Sequence, residues 1–238
     1  MTESDLITHS AFVLAAGRGS RMMPITQNIP KPLVTVNNET LLRRTLDQLK
    51  IVGIKNITIN LHYLGNKIEE ELKDYEELKI TYSKEDTLLD TGGGIKNALN
   101  TIPDDVFFIT SGDGYLIDQR GNALQRMLKA WNPQKMDILL LLQPTSSMTL
   151  TTGIGDYDLK QNGMATRSHD KTGSHMFTSV RLVKKTIFSN CPEGAFSFLE
   201  CMDQAEKEGQ LYGIEHHGMW HHISTPQDLQ TVNESLAK

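Results

Sequence analysis

Residues 14–22 read Leu14-Ala15-Ala16-Gly17-Arg18-Gly19-Ser20-Arg21-Met22, and Pro30-Lys31-Pro32-Leu33 follows after a short interval. The apolar run 11–16, which leads into this stretch, predicts a buried strand. A strand that ends in small residues and glycine lets the backbone come close to a ligand, and successive N–H groups in such a turn can bind phosphate. Arg18, Arg21 and Lys31 bring positive charge to the same place. The stretch therefore predicts a site for a polyanion such as a nucleoside triphosphate.

Two common phosphate-binding loops do not fit this stretch. The dinucleotide fingerprint GxGxxG matches at Gly17 and Gly19, but Met22 occupies the position of its third glycine. Prolines at positions 24, 30 and 32 stand where the helix after that loop would run, and proline inside a helix removes a hydrogen bond and clashes with the preceding turn. The sequence GxxxxGK[ST] is absent. A dehydrogenase is therefore disfavoured.

Short apolar runs alternate with stretches of helical period along the chain. Strands are predicted at residues 11–16, 57–61, 78–82, 106–110, 136–142, 211–214 and 220–223. Helices are predicted from Thr40 to Gly53, around 124–131 and 198–205, and from Thr225 onward, where Thr225 is the N-cap. Residues 144–175 show little periodicity and are interpreted as a loop with short hairpins, a small β insertion. We expect an α/β fold with a mostly parallel, Rossmann-like mixed sheet and helices on both faces, which binds its ligands at the carboxyl ends of the strands.

Composition limits the classes of partner. The chain has 238 residues, 24 basic and 29 acidic side chains, and a formal net charge of -5, so no basic stripe is available to bind nucleic acid. Residues 1–10 are polar and acidic, which argues against a signal peptide, and no window is apolar enough to span a membrane. Cys191 and Cys201 lack metal-ligand spacing and are expected to be reduced thiols. These features favour a cytoplasmic protein.

Further motifs match one enzyme family. They are Asn60-Leu61-His62-Tyr63-Leu64-Gly65, Thr91-Gly92-Gly93-Gly94-Ile95, Gly112-Asp113 and Trp220-His221-His222-Ile223-Ser224-Thr225-Pro226. Together with the pattern LxAGxGxRMxP…KPL in the opening stretch, they make the chain resemble the sugar-1-phosphate nucleotidyltransferases, also called nucleoside-diphosphate-sugar pyrophosphorylases, along essentially its whole length. The resemblance implies the fold of the nucleotidyltransferases, which is similar to that of GT-A enzymes. Because no linker is visible, we expect one domain over residues 1–238, with a nucleotide-binding part at about 11–142 and a sugar-phosphate-binding and C-terminal part at about 143–238.

The resemblance also implies a reaction and its substrates. Such enzymes join a nucleoside triphosphate to a sugar 1-phosphate and release pyrophosphate, so the protein must neutralise and align two anions. The implied catalytic residues are Arg21, Lys31 and Asp113, and the implied nucleotide-binding residues are Leu14, Ala15, Ala16, Gly17, Arg18, Gly19, Ser20, Arg21, Lys31, Glu85 and Gly92. The chain is most similar to short bacterial members that act on UTP and N-acetylmuramate 1-phosphate, in peptidoglycan recycling. Two alternatives stay open, GTP with mannose 1-phosphate and a nucleotide-binding protein with impaired catalysis.

The expected metal site departs from the family pattern. Asp113 follows the predicted strand 106–110 and is the first candidate ligand for Mg²⁺, while Asp118 in the same loop is a weaker one. The family has a second carboxylate where this chain has His222, and imidazole favours Mn²⁺ or another transition ion over Mg²⁺. Three possibilities follow: His222 is a nitrogen ligand beside Asp113, fewer protein groups hold the ion, or catalysis is impaired.

The sugar-phosphate site is the part that the sequence places least well. The family's second lysine has no clear counterpart between residues 144 and 180, and Arg167 and Arg181 are the candidate substitutes, with Trp220 as a core or sugar-stacking residue. His216, His217 and His221 are expected to be solvated or hydrogen-bonded rather than zinc ligands, since no cysteine accompanies them. The expected partners are the nucleotide and the sugar 1-phosphate, with the protein a monomer or a homodimer.

Overall fold

The computed structural model describes residues 7–151 and 153–237, so most of the polar stretch 1–10 lies outside the described residues. The strands are β1 Ser10–Leu14, β2 Thr35–Val36, β3 Glu39–Thr40, β4 Asn56–Leu61, β5 Lys79–Lys84, β6 Val106–Ser111, β7 Tyr115–Asp118, β8 Ile138–Pro144, β9 Tyr157–Leu159, β10 Ala165–Arg167, β11 His175–Lys184, β12 Leu211–Glu215 and β13 Gly218–His221. The α-helices are α1 Leu41–Ile51, α2 Gly65–Glu71, α3 Asp90–Asn97, α4 Ala123–Ala130, α5 Leu199–Lys207 and α6 Pro226–Leu236.

The central sheet is mixed, as the sequence predicts. Its order is β10-β9-β11-β6-β1-β4-β5, and β8 pairs with both β11 and β12. Strands β6, β1, β4 and β5 run parallel, whereas β11 runs antiparallel to both β6 and β8. Smaller two-stranded sheets are formed by β13 with β7 and by β2 with β3.

Helices cover both faces of the sheet, which confirms the predicted architecture. Along β1, Val13 packs into a core with Leu46 of α1 and Met127 of α4. Phe12, on the opposite face, packs into a second core with Phe198 and other residues from the α3 and α5 side. Successive residues of β1 thus bury opposite faces, as the pleat of a strand requires. A smaller third core lies beneath α6.

The helix ends follow their local signals. The Thr40 hydroxyl accepts a hydrogen bond from the Arg43 N–H at 3.3 Å, so it caps α1 as predicted. Thr225 and Asp228 form a capping box at the start of α6. These caps set the first turn of α1, which follows the loop that contains Lys31, and the first turn of α6, which follows His222.

Three differences from the sequence prediction bear on the site. Residues 175–184 form the long strand β11, which the sequence does not predict, because polar residues interrupt its apolar pattern. Ser179 has a φ of +69° at an irregularity in the pairing of β11 with β8. The last strand covers 218–221 rather than 220–223, and β1 ends at Leu14 rather than at residue 16, because the glycine loop has already left the sheet.

The cysteines and the helices bear on two further predictions. Cys191 and Cys201 are free, as expected, with their sulfur atoms 3.2 Å apart. Burial raises the pKa of the Cys201 thiol.

Over residues 7–151 and 153–237, none of the helices combines the length and the apolar character that a membrane crossing needs.

Candidate active site

A cavity of about 690 Å³ opens where the parallel strands β1 and β6 end. Of the residues singled out from the sequence, its walls contain Leu14, Ala15, Ala16, Gly17, Gly19, Arg21, Lys31, Asp113, Arg167, Arg181, Trp220 and His222. Because β1, β4 and β6 are parallel, the loops that follow them meet at the same edge of the sheet. The cavity thus gathers the glycine loop, Lys31 and Asp113 in one place.

The backbone of the glycine loop requires glycine at position 19, whereas position 17 faces open space. Gly19 has a φ of +60°, and a Cβ built there would lie 2.9 Å from the Cβ of Lys31. Nothing lies within 4 Å of the corresponding position at Gly17. Within the described part of the chain, the N–H groups of Gly17 and Gly19 donate to no protein acceptor. The loop therefore presents backbone donors to the cavity, the arrangement that binds phosphate oxygens.

Lys31 and Asp113 form an ion pair in the cavity wall. Lys31 begins a short 3₁₀ turn, Lys31–Leu33, and Asp113 follows the end of β6. The Lys31 Nζ donates to Asp113 Oδ2 at 2.5 Å. Burial alone would raise the pKa of Asp113, but the charge and hydrogen bond of Lys31 hold this pKa below its ordinary value. The pair thus keeps the Asp113 carboxylate ionised beside the glycine loop.

His222 lies next to this pair as a neutral imidazole. Burial, reinforced by the charges of Lys31 and Arg21, lowers the pKa of His222 below its ordinary value. Its backbone N–H donates to the Thr151 hydroxyl at 3.2 Å. A neutral imidazole can be a nitrogen ligand. Residues 7–151 and 153–237 contain no group of three or more histidine, cysteine, aspartate or glutamate side chains placed to hold a metal ion.

Glu85 stands behind the cavity wall rather than in it. Its carboxylate accepts a hydrogen bond from Asn60 Nδ2 at 2.7 Å, and Asn60 Oδ1 in turn accepts one from the Ala15 N–H at 2.8 Å. A second oxygen of Glu85 accepts the Leu89 N–H at 3.0 Å. Glu85 therefore positions the end of β1 and the start of α3, and Asn60 reaches the cavity in its place.

Gly92 likewise has a packing role. Its N–H donates to the Phe196 carbonyl at 2.9 Å, and a Cβ at this position would come within 2.3 Å of the Phe196 ring. Asp90 and Thr91 line the cavity at this end instead. Gly92, which the resemblance implied would bind the nucleotide, thus donates its N–H to a protein carbonyl instead.

Arg18 and Ser20 are exposed residues of the glycine loop that do not line the cavity. The Arg18 guanidinium lies 5.8 Å from the centre of the Tyr63 ring. Arg21 is exposed too, but it lines the cavity. Of the two arginines in the loop, Arg21 is the one placed to meet a bound phosphate.

The two candidate sugar-phosphate arginines have different surroundings. Arg167 Nη1 donates to both carboxylate oxygens of Asp203, at 2.9 and 2.8 Å. Arg181 is 4% exposed, and its Nε and Nη2 atoms are enclosed without a hydrogen-bond partner. Trp220 is buried between the sheet and the cavity, with its ring centre 5.4 Å from that of His222. Arg167 is thus already neutralised by the protein, whereas Arg181 is not.

Several cavity residues were not among the predicted site residues, namely Asn60, Asp156, Tyr157, Lys171 and Phe177. Asn60 stands in one of the family motifs and could have been found as a polar residue at the end of a predicted parallel strand. The other four come from the stretch around β9 and β11, which has no periodic pattern from which to place them.

Of the remaining polar candidates, His216 and Asp118 are held by protein groups, and His217 is exposed, as predicted. Contrary to the prediction, His221 is buried in the cavity wall, and its Nε2 has no hydrogen-bond partner within residues 7–151 and 153–237. His216 bonds to Gln143 Oε1 at 2.7 Å and to Asp118 Oδ1 at 3.1 Å, so it is hydrogen-bonded as predicted. Asp118 also accepts the Ala123 N–H at 3.2 Å, and it lies outside the cavity wall. This placement disfavours Asp118 as a metal ligand.

Comparisons with known proteins agree with this geometry. Residues 10–153 match the family model described as nucleotidyl transferase. The N-acetylmuramate alpha-1-phosphate uridylyltransferase of Caulobacter vibrioides is 31% identical over 96% of this chain and 97% of its own length. The protein of the same name from Neisseria meningitidis is 28% identical over 90% of this chain and 93% of its own length. A solved UDP-glucose pyrophosphorylase complexed with UDP-glucose shares the fold, with a TM-score of 0.76 at 14% identity over 96% of this chain and 98% of that one. The chain therefore belongs to the nucleotidyl transferase family, among the sugar-1-phosphate nucleotidyltransferases.

Proposed function

We propose that the chain transfers a uridylyl group from UTP to N-acetylmuramate 1-phosphate. A phosphate oxygen of the sugar 1-phosphate attacks the α-phosphorus of UTP, the new P–O bond forms in line with the breaking bond to the β-phosphate, and pyrophosphate leaves. Two relatives that match nearly the whole chain carry this activity in their names. The observation that carries the proposal is the Lys31–Asp113 pair facing an open glycine loop at the carboxyl ends of β1 and β6.

Each part of the cavity has a task in this reaction. The free N–H groups of the glycine loop and the Arg21 side chain bind the β- and γ-phosphates. Lys31 neutralises charge on the α-phosphate as the bonds exchange, a role for a preorganised cation. The uracil lies near Leu14, Ala15 and Thr91, where the cavity wall is formed largely by backbone and small side chains. Arg181 and Trp220 border the sugar ring of the sugar 1-phosphate, whereas Arg167, which Asp203 already neutralises, only lines the cavity.

A divalent ion bound beside Asp113 would have few protein ligands. Asp113 supplies the hard carboxylate oxygen that Mg²⁺ prefers, and the neutral His222 supplies a nitrogen that suits Mn²⁺. With no three-ligand group in the described ranges, substrate phosphates would complete the shell. Such an ion would neutralise phosphate charge during the transfer.

The role of His222 can be tested by restoring a carboxylate. We expect His222→Asp to raise turnover with Mg²⁺ and to lower the ratio of Mn²⁺ to Mg²⁺ activity, because a carboxylate is the better Mg²⁺ ligand. The measurement is pyrophosphate release against metal concentration for both ions. An unchanged rate and an unchanged metal preference would mean that residue 222 does not contact the ion.

The substrate pair is tested by one assay with the purified protein. Each nucleoside triphosphate is combined with N-acetylmuramate, N-acetylglucosamine, glucose and mannose 1-phosphates, in Mg²⁺ or Mn²⁺, and pyrophosphate is measured. We expect the highest kcat/KM with UTP and N-acetylmuramate 1-phosphate, and a higher value for GTP with mannose 1-phosphate would overturn the pair.

A second candidate function rests on His222, which replaces a carboxylate expected in the family. It is a nucleotide-binding protein without turnover. No pyrophosphate with any pair, together with a rise in the melting temperature on adding UTP, would favour it over the enzyme. For the enzyme, we propose a cytoplasmic location, in the recycling of cell-wall sugars.

A further inference from the structure

Arg181 is a buried charge for which the described residues supply no counterion. It lies in the middle of β11, opposite Ile109 of β6 and Leu140 of β8, and it lines the cavity. Within the described part of the chain, its Nε and Nη2 atoms have no hydrogen-bond partner. The ionisable groups that act on it electrostatically are Tyr157 and Cys201, and no carboxylate is among them.

The surroundings of the Arg181 guanidinium are aromatic. It lies 4.1 Å from the centre of the Phe198 ring and 5.5 Å from that of Phe177. Burial lowers the pKa of Arg181 to about 9, so the group stays charged at neutral pH. Aromatic faces stabilise a cation only partly, and a desolvated charge without an anionic partner is costly. This cost indicates that an anion from outside the chain completes the site.

Tyr157 adds a second donor without an acceptor. Its hydroxyl is enclosed and has no partner within residues 7–151 and 153–237, and the residue is 3% exposed. Burial raises the pKa of Tyr157, so the hydroxyl keeps its proton. Its ring meets Phe177 edge to face, with the ring centres 6.3 Å apart, and Arg181 stacks near the same Phe177. One aromatic residue therefore links the two unpartnered donors.

The backbone at this point is also unusual. Ser179 lines the cavity with a φ of +69°, and the pairing of β11 with β8 shifts between Phe177 and Arg181. Such a bulge re-aims the side chains beside it, and strained non-glycine residues cluster at functional sites. The strand is thus irregular where Arg181 meets the cavity.

We propose that Arg181 and the Tyr157 hydroxyl bind a carboxylate carried by the sugar, so that the enzyme selects acidic sugar 1-phosphates. This inference rests on the proposed function. A guanidinium can hold a carboxylate through two parallel hydrogen bonds, and a phenol can donate a third. N-acetylmuramate 1-phosphate carries such a group on its lactyl ether, whereas N-acetylglucosamine 1-phosphate lacks only that ether.

The position of Arg181 favours a carboxylate over the sugar phosphate itself. Arg181 is paired with Ile109, whereas Lys31 and Asp113 lie beyond Ser111, where β6 ends. The reacting phosphates must meet near the glycine loop and this ion pair. A second anionic group, deeper along the strand and among apolar side chains, fits a substituent of the sugar ring.

The test compares two substrates in the wild type and in a set of variants. We measure kcat/KM with UTP for N-acetylmuramate 1-phosphate and for N-acetylglucosamine 1-phosphate, in the wild type and in Arg181→Met, Tyr157→Phe and Arg167→Met. The matched control is Arg167→Met, which removes an arginine of the same cavity that Asp203 already neutralises. A site built around a polar substituent can reject the analogue that lacks it by up to about 10⁴-fold.

We expect the wild type to prefer the acidic sugar by about 100-fold or more, consistent with such a site. Arg181→Met should lower this preference at least about 30-fold, mainly through the KM of the acidic sugar, because a buried charged hydrogen bond contributes to binding. Tyr157→Phe should lower it several-fold, and Arg167→Met should change it less than about twofold. Melting temperatures establish that each variant folds, and Arg181→Lys, which keeps the charge but not the fork, should give an intermediate preference.

Three results would overturn the proposal. They are equal kcat/KM for the two sugars in the wild type, an Arg181→Met variant that keeps the preference, and an Arg181→Met variant that loses both sugars equally, which would assign Arg181 to the shared phosphate. Failure of the proposed function has a different signature, since no pair then releases pyrophosphate. In that case, calorimetry with free N-acetylmuramate and free N-acetylglucosamine tests the carboxylate site on its own. The site is ruled out if the wild type binds both sugars equally well or binds neither.

Discussion

Lys31 and Asp113 are 82 positions apart in sequence, yet they meet at 2.5 Å in the cavity wall. The cation must act most strongly when charge builds on the phosphates in the transition state. We expect Lys31→Ala to lower kcat about 100-fold to 1,000-fold, or about 3 to 4 kcal/mol, the loss typical for one such donor. Steady-state pyrophosphate release measures it.

The matched control for Lys31 is Lys73→Ala, since Lys73 is an exposed lysine that pairs with Glu70 on the surface. It should leave kcat within about a factor of two, because exposed ion pairs contribute little. A Lys31→Ala enzyme with kcat within threefold of the wild type would remove Lys31 from the catalytic step.

Gly94 is the residue on which the support for the nucleotide end depends. A Cβ there would lie 2.5 Å from Glu85 Oε1 and 2.9 Å from Asn60 Nδ2, two atoms that are hydrogen-bonded to each other. Asn60 Oδ1 in turn accepts the Ala15 N–H and so holds the end of β1. We expect Gly94→Ala to lower the free energy of unfolding by about 1 to 3 kcal/mol, the usual cost of overpacking. The KM for UTP should rise with it, because Ala15 loses its anchor.

Gly17→Ala is the contrasting glycine variant. Nothing lies within 4 Å of a Cβ at position 17, so its stability in urea should match that of the wild type even though it lines the cavity. Equal stabilities of Gly94→Ala and Gly17→Ala would contradict the supporting role of Gly94.

The capping box of α6 gives a prediction at the scale of one element. Burial alone would raise the pKa of Asp228, but the N–H groups of Ser224 and Thr225 and their hydroxyls hold it below its ordinary value. A carboxyl whose folded pKa is depressed stabilises the fold above its unfolded pKa and loses this contribution as the pH falls through the folded pKa. The stability difference between wild type and Asp228→Asn should therefore be present at pH 7 and shrink on acidification below about pH 4.

Urea unfolding of both proteins from pH 7 to pH 3 measures this difference. Thr225→Ala removes the other half of the box and should cost about 1 kcal/mol, with less dependence on pH. A difference for Asp228→Asn that stays constant over the whole range would show that the Asp228 charge does not stabilise α6.

Local signals decide which elements could be predicted from the sequence. Helices α1 and α6 were predicted because their caps, Thr40 and Thr225, act on the next turn. Strand β11 was not, because its burial comes from β6 and β8, far away in sequence, and this environment tolerates a buried Arg181 and a strained Ser179. Its tertiary context outweighs the period of its side chains.

The contrast between local signals and contacts distant in sequence also applies to the site. Motif spacing and predicted strand ends place the glycine loop, Lys31 and Asp113 at one edge of the sheet. The structure brings them together there. Glu85 was expected to contact the nucleotide, but it lies behind Asn60, and only the geometry of β4 reveals this exchange. Tyr157 was not foreseen, because its place in the cavity depends on how β9 packs beside β11.

At the scale of the whole molecule, charge is unevenly distributed. The chain carries a net charge of -5, whereas its cavity is lined by the cations Arg21, Lys31, Arg167, Lys171 and Arg181 and by the carboxylates Asp90, Asp113 and Asp156. An anionic substrate is therefore repelled by the average surface and attracted by the cavity. Such focused attraction depends on ionic strength, since salt shortens the Debye length from about 10 Å at 0.1 M to about 3 Å at 1 M.

We accordingly expect the KM for UTP to rise several-fold between about 0.1 and 1 M potassium chloride, while kcat changes less, because the Lys31–Asp113 pair is half-buried and less screened. Arg21→Gln should flatten this dependence, since Arg21 is an exposed cation of the cavity. Replacing the exposed Arg18, which lies outside the cavity, by glutamine should preserve it. If both variants kept the full salt dependence, the attraction would come from the protein surface as a whole and not from a cationic cavity.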